Sequence, residues 1–165
     1  MTQLIPAGAP TTMGAAFAHI NSVTSPTVDD LKVMVLLEAA GLELYENMAT
    51  GTDNSEVIAL LRHNGREELA HAHRVAKAIQ AVSGEAFPPP AAADNPYLAE
   101  SLPTMPVTAE SLKGLARGEF GGEALYAGWA DTIGNEEAAR QFRQNGKEEA
   151  EHGLRLIEAA ALLEG

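Results

Sequence analysis

A ten-residue segment that returns later in the chain constrains the fold more than any other feature. Arg62-His63-Asn64-Gly65-Arg66-Glu67-Glu68-Leu69-Ala70-His71 comes back as Arg143-Gln144-Asn145-Gly146-Lys147-Glu148-Glu149-Ala150-Glu151-His152, an offset of 81. The same offset carries Glu38 onto Glu119, Tyr45 onto Tyr126 and Arg74 onto Arg155, with no gap needed anywhere between. One half-protein has been used twice, so each element of the first half needs a counterpart in the second.

Those elements read as helices. Ser25-Pro26-Thr27-Val28-Asp29-Asp30 offers a hydroxyl cap, a proline where an amide donor is dispensable and acids where the helix dipole favours them, so a helix starts here and runs to about Ala49. Its apolar stripe, Leu31, Met34, Val35, Leu42 and Tyr45, faces a core; Glu38 falls on that stripe, while Glu43 and Glu46 lie to the side. The turn Gly51-Thr52-Asp53-Asn54 leads into a second helix, from near Ser55 to about Val82, which Gly84 and Pro88-Pro89-Pro90 stop. A third helix opens at Thr108-Ala109-Glu110 and reaches about Thr132. Gly134-Asn135 then turns the chain into a fourth, from roughly Glu136 to Leu163.

Between the pairs lies a crossover, about 83–107, in which Pro96, Pro103 and Pro106 make a regular element unexpected. It is longer than compact domains normally spend on a loop, and long enough to cross from one end of a helix pair to the other. Two helical hairpins joined by one long crossover make an all-α, antiparallel four-helix bundle. The bundle takes in residues 25–165. Residues 1–24, rich in Ala, Gly, Thr and Pro, read as a flexible N-terminal arm, with a turn or two of helix over Ala15 to Ile20 and a surface or packing histidine at His19.

Composition narrows the chemistry. The 165 residues contain no cysteine, which excludes disulfides, thiolate metal sites and a catalytic thiol. The net charge of −12 argues against nucleic acid or an anionic membrane as partner and favours cations. No basic n-region with an apolar h-region opens the chain, and no apolar run approaches the roughly 20 residues of a membrane span, so a soluble, cytoplasmic protein is expected.

In a helix, residues three apart share a face, so Glu68 and His71 project as a chelating pair, and Glu149 and His152 do the same. Seven residues come within about 20° of two turns, which aligns Glu38 with Tyr45 and Glu119 with Tyr126. If the hairpins pack about a pseudo-twofold axis, four carboxylates and two imidazoles meet in the core. Four buried like charges would force protonation or unfolding unless two divalent cations sit among them. Carboxylate and imidazole without thiolate suit iron or manganese, with zinc as an adventitious occupant.

The full pattern, Glu-x6-Tyr followed by Glu-x-x-His and repeated in register, resembles the ferritin-like di-iron carboxylate superfamily, and within it the rubrerythrin and bacterioferritin branch. The resemblance covers roughly Thr27 to Leu163. It implies Glu38 and Glu119 as terminal ligands, Glu68 and Glu149 as bridges, His71 and His152 as one-metal ligands, and Tyr45 and Tyr126 as tyrosines that orient ligand carboxylates. It implies two iron ions as cofactor, with manganese or mixed metals as alternatives. The chain departs from rubrerythrins at Gly122, where they commonly carry an extra glutamate; Glu123, one residue on, is a candidate additional ligand. With no cysteine there is no rubredoxin-type domain, so electrons would come from a separate donor.

Other residues are weighed beside these. Glu67 and Glu148 precede Glu68 and Glu149 and are expected at the surface, with a role beside the ligands as the alternative. His63 and His73 fall off the chelating face, their repeat mates are Gln144 and Leu154, and they are taken as non-ligands. Gly118, Gly121 and Gly122 surround Glu119, either for close helix packing or to leave room for a moving carboxylate or a small substrate. The function expected is an oxidoreductase reacting ferrous iron with peroxide or dioxygen, as a peroxidase or ferroxidase and at least a dimer. Iron storage or delivery, and a metal-stabilised bundle without turnover, are the alternatives.

Overall fold

The computed structural model describes residues 4–102, 104 and 106–165; residues 1–3 of the expected arm and Pro103 of the crossover lie outside the described residues. The chain forms α1 (Met13–Ser22), α2 (Val28–Ala49), α3 (Ser55–Ser83), α4 (Ala109–Thr132) and α5 (Glu136–Glu164). There is no strand among the described residues. Helices α2 and α3 form one hairpin and α4 and α5 the other, and the two join chiefly through α3 against α5. By contrast α2 and α4 are linked by side chains rather than by close backbone approach.

Local chemistry sets the helix ends. Thr27, rather than Ser25, caps α2, and Asp30 bonds back to the Thr27 amide at 2.8 Å in a capping box. Asn54 and Asn135 cap α3 and α5. Gly84, at φ +76°, ends α3 in the left-handed conformation that only glycine adopts without strain, and Gly134, at φ +67°, serves the second hairpin turn in the same way.

The bundle interior is layered. One apolar cluster contains Leu31, Val35, Val75, Ile79, Trp129 and Phe142, and another contains Leu61, Leu112, Ala116, Leu156 and Ala159. The buried polar residues, Glu38, Glu68, His71, Glu149 and His152, lie between these two plugs. Rigid packing on both sides thus holds the polar layer in place.

Two segments differ from expectation. In place of a turn or two, α1 has ten residues, is capped by Thr12, and buries Ala16 and Ile20 against α2. Among its described residues the crossover contains two short 3-10 turns, Ala92–Asp94 and Pro96–Leu98. Both segments are strapped down: Asn95 Nδ2 donates to Leu36 O at 2.8 Å, Tyr97 Oη to Pro10 O at 2.8 Å, and Trp129 Nε1 to Val23 O at 2.8 Å. The cause is the outer face of α2, where Leu36, Leu37, Ala39 and Ala40 are buried. Covering a large apolar side chain contributes about 1.5–3 kcal/mol, enough to recruit segments without a periodic pattern of their own. No helix among the described residues is long and apolar enough to cross a membrane.

Candidate metal centre

The six residues expected as ligands come together. Three carboxylates surround His71 Nδ1: Glu149 Oε1 at 3.2 Å, Glu38 Oε2 at 3.6 Å and Glu68 Oε2 at 3.7 Å. Around His152 Nδ1 the arrangement repeats, with Glu68 Oε1 at 3.2 Å, Glu149 Oε2 at 3.7 Å and Glu119 Oε2 at 3.9 Å. Glu68 and Glu149 therefore face both imidazoles, one carboxylate oxygen toward each, whereas Glu38 and Glu119 each serve one side. Glu68, His71, Glu149 and His152 offer ligand atoms all within 4.8 Å of one another.

The histidines themselves test whether a metal fits. Both rings are fully buried, and among the described residues neither Nδ1 has a hydrogen-bond partner. Each Nε2–H donates outward, His71 to Glu148 Oε2 at 3.1 Å and His152 to Glu67 Oε2 at 3.1 Å. Because a carboxylate can only accept, Nε2 carries a proton in each ring, and in the neutral imidazole the Nδ1 lone pair is aimed into the acids. A lone pair facing three carboxylates is repulsive unless a cation lies between them. In metal-free protein burial opposes the charge of His71 but the surrounding glutamates raise its pKa, so that a proton serves there. A metal ion would take that place, since metal-ligating histidines characteristically donate their other N–H to a carboxylate in this way. The donor set fits two divalent cations.

Here the structure corrects the reading of Glu67 and Glu148 as surface residues. Glu148 is buried; Arg74 donates to it at 2.7 and 3.0 Å, and Gln144 at 2.6 Å. Burial opposes its charge, but these bonds and that from His71 hold its carboxyl well below the usual carboxylate range. Glu67 is half-buried and accepts from Arg155 at 2.7 Å and from His63 at 3.2 Å. Each clamp crosses between hairpins, tying the histidine of one half to the residue that precedes Glu68 or Glu149 of the other. Asn64 and Asn145 complete the clamps: their Oδ1 atoms accept from Arg155 and Arg74 at 2.7 and 3.1 Å, and their Nδ2 atoms donate to the carbonyls of His152 and His71 at 3.3 Å. The signal was present in the repeat, which preserves Asn, Glu and Arg at matching positions on both sides.

The tyrosines also cross. Tyr45 donates to Glu119 and Tyr126 to Glu38, so each terminal carboxylate is oriented from the opposite hairpin. Burial and the neighbouring carboxylate charges push both phenols well above their ordinary range, which keeps them donors.

Among themselves the four central acids compete. Burial, and then the charge of Glu38, pushes Glu68 well above the ordinary range; burial and Glu149 do the same to Glu119. Glu149 is pushed up to about 7 by burial and by the charge of Glu68. Glu38 alone is held below its usual value, against burial, chiefly by His71.

Glu123 stands outside the cluster, exposed on α4. Its offset of one residue from Gly122, which faces Glu149, turns it about 100° away. His73 is exposed, and His63 meets only the outer edge of Glu67. His19 packs at the surface, where its Nε2 lies 2.7 Å from Asp30.

A four-helix bundle with a carboxylate-histidine layer, doubled about a pseudo-twofold axis, defines a two-metal carboxylate protein. Residues 31–160 match the rubrerythrin family, and the chain belongs to that ferritin-like, di-iron family. No curated protein and no solved structure is matched by the chain.

Proposed function

We propose that the protein is an oxidoreductase in which two ferrous ions react with peroxide or dioxygen, as a peroxidase or ferroxidase. The observation that carries this reading is the pair of buried, unpartnered Nδ1 atoms, each facing three carboxylates, two of which are shared. Bound iron would supply the electrons that reduce the oxidant.

The residues would do the rest. Glu68 and Glu149 would each offer one oxygen to either cation, and Glu38 and Glu119, oriented by Tyr126 and Tyr45, would complete the holding set. The Glu148–Arg74 and Glu67–Arg155 clamps prevent either imidazole from rotating out of place. The two apolar plugs limit water, which strengthens every charge interaction between them. In this reading a separate donor returns electrons, and the setting is cytoplasmic.

An anaerobic titration with ferrous iron, followed separately by peroxide and by dioxygen, tests the proposal. About two ions per chain and oxidation much faster than free iron in buffer are expected. One ion or fewer in folded protein, or oxidation no faster than buffer, would overturn it. A closed cage of many subunits in solution would point instead to iron storage at the same centre.

A further inference from the structure

The two halves of the centre are walled differently. On α2, Gly41 is buried, and a Cβ there would meet Glu68 Cβ and Cγ at 2.7 Å. Outside it the helix is sealed: Leu36, Leu37 and Ala40 are buried, with α1 and the crossover against them. On α4, the repeat mate Gly122 is only half-buried, and a Cβ there would lie 3.2 Å from Glu149 Cδ and 3.3 Å from its Oε2. Gly118 and Gly121, mates of the buried Leu37 and Ala40, are exposed, and among the described residues nothing lies within 4 Å of where their side chains would begin.

Close packing within this chain therefore does not account for Gly118 and Gly121. On the α4 side the wall between solvent and the Glu149 carboxylate is the bare backbone of Gly122. The ring of the nearby Phe120 packs over Gly153 of α5, and it is not among the atoms that a Cβ at Gly122 would meet. Glu119, beside these glycines, has a side chain 12 % exposed, against 5 % for its mate Glu38. Glu68 and Glu149 also differ in freedom: a Cβ at Gly41 would press on the stem of Glu68 at 2.7 Å, whereas one at Gly122 would meet the carboxylate of Glu149 first, at 3.2 and 3.3 Å, with its Cγ at 3.4 Å.

We propose that the small reactant reaches the centre across α4, over Gly118 and Gly122, and that Glu149 rather than Glu68 is the carboxylate that moves aside for it. The inference rests on the two-metal reading above and adds a direction to it. A molecule the size of peroxide, dioxygen or azide can approach over Gly118, where no atom lies within 4 Å of the missing Cβ, and to pass Gly122 it must displace Glu149, whose carboxylate fills that space. Gly118 and Gly122 act as positioning residues, since they set access without supplying a ligand.

The test uses azide as probe on protein loaded with two cobalt(II) ions, followed by stopped-flow absorbance. Gly118→Leu fills exposed space without touching a ligand; Gly122→Ala presses on Glu149; Ala124→Leu, also exposed on α4 but on another face, is the control. The expected result is full cobalt loading in all three, with azide association slowed at least tenfold in Gly118→Leu and Gly122→Ala and unchanged in Ala124→Leu. Full loading with unchanged association in Gly118→Leu overturns the inference, whatever Gly122→Ala does. Equal slowing in Ala124→Leu overturns it as well. If the parent itself binds one cobalt or none, the two-metal reading has failed instead.

Discussion

The two hairpins share an interior and differ in their exteriors. Facing the centre, Glu38, Tyr45, Asn64, Glu67, Glu68, His71 and Arg74 are matched one for one by Glu119, Tyr126, Asn145, Glu148, Glu149, His152 and Arg155. Facing outward, Leu36, Leu37, Ala39 and Ala40 of α2 correspond to Arg117, Gly118, Phe120 and Gly121 of α4. The first set is buried beneath α1 and the crossover; Arg117, Gly118, Phe120 and Gly121 are exposed. A twofold centre needs both interiors to stay alike, because each ligand is aimed by a partner from the other half. No such coupling acts on the outer faces, which follow whatever covers them.

If the interiors are equivalent, Glu68→Ala and Glu149→Ala should fail to similar degrees. Each removes a carboxylate that faces both imidazoles, so single-turnover ferrous oxidation should fall by about 100-fold or more, beyond what loss of an outer partner of a ligand produces. Rates equal to the parent in either folded variant would show that the ligand register is wrong.

The clamps sharpen the comparison, because they are not quite equal. Glu148 is buried and takes two bonds from Arg74, whereas Glu67 is half-buried and takes one from Arg155. Glu148→Gln and Glu67→Gln should each weaken metal binding by roughly 10- to 100-fold, with Glu148→Gln the more severe. Competition titrations with a chelator of known affinity would measure this. Unchanged affinity in both would return Glu67 and Glu148 to a surface role.

Gly41→Ala and Gly122→Ala probe the walls through stability. At Gly41 the clash falls on the Glu68 stem, which cannot swing away, and a cost of about 1–3 kcal/mol in denaturant unfolding is expected. At Gly122 the contacts are looser, 3.2 to 3.4 Å and mostly with the carboxylate, and the gain in helix propensity, roughly 1 kcal/mol, offsets much of that strain. Equal destabilisation would mean that the two bridges are held alike.

The smallest effect expected is on pH dependence. Glu149, pushed up to about 7, and Glu68 and Glu119, also raised, bind protons more tightly folded than unfolded. Their contribution to the stability of metal-free protein is full below the unfolded carboxylate range and is lost as pH rises through about 7 for Glu149. Glu38, held low, acts in the opposite sense, but only below its ordinary 4.5. Between pH 6 and 8 the melting temperature of metal-free protein should therefore fall relative to loaded protein, by on the order of a few degrees. A gap that narrows toward pH 8 would contradict burial of the acids.

By itself the sequence determined the four helices, their hairpin pairing and the six converging acids and histidines. Helix periodicity, caps and proline stops are local, and the offset of 81 supplied the one long-range relation needed to bring the halves together. Only the tertiary structure decided what lies around that centre. Glu67 and Glu148 look like surface residues on their own helices, and become partners of His152 and His71 because the facing hairpin brings those rings to them. The docking of α1 and the crossover has no periodic signature, since it follows from apolar area that α2 leaves uncovered. The difference between Gly41 and Gly122 is equally invisible in sequence: both are glycines three residues past a glutamate of the centre, and which one faces solvent depends on segments remote in the chain.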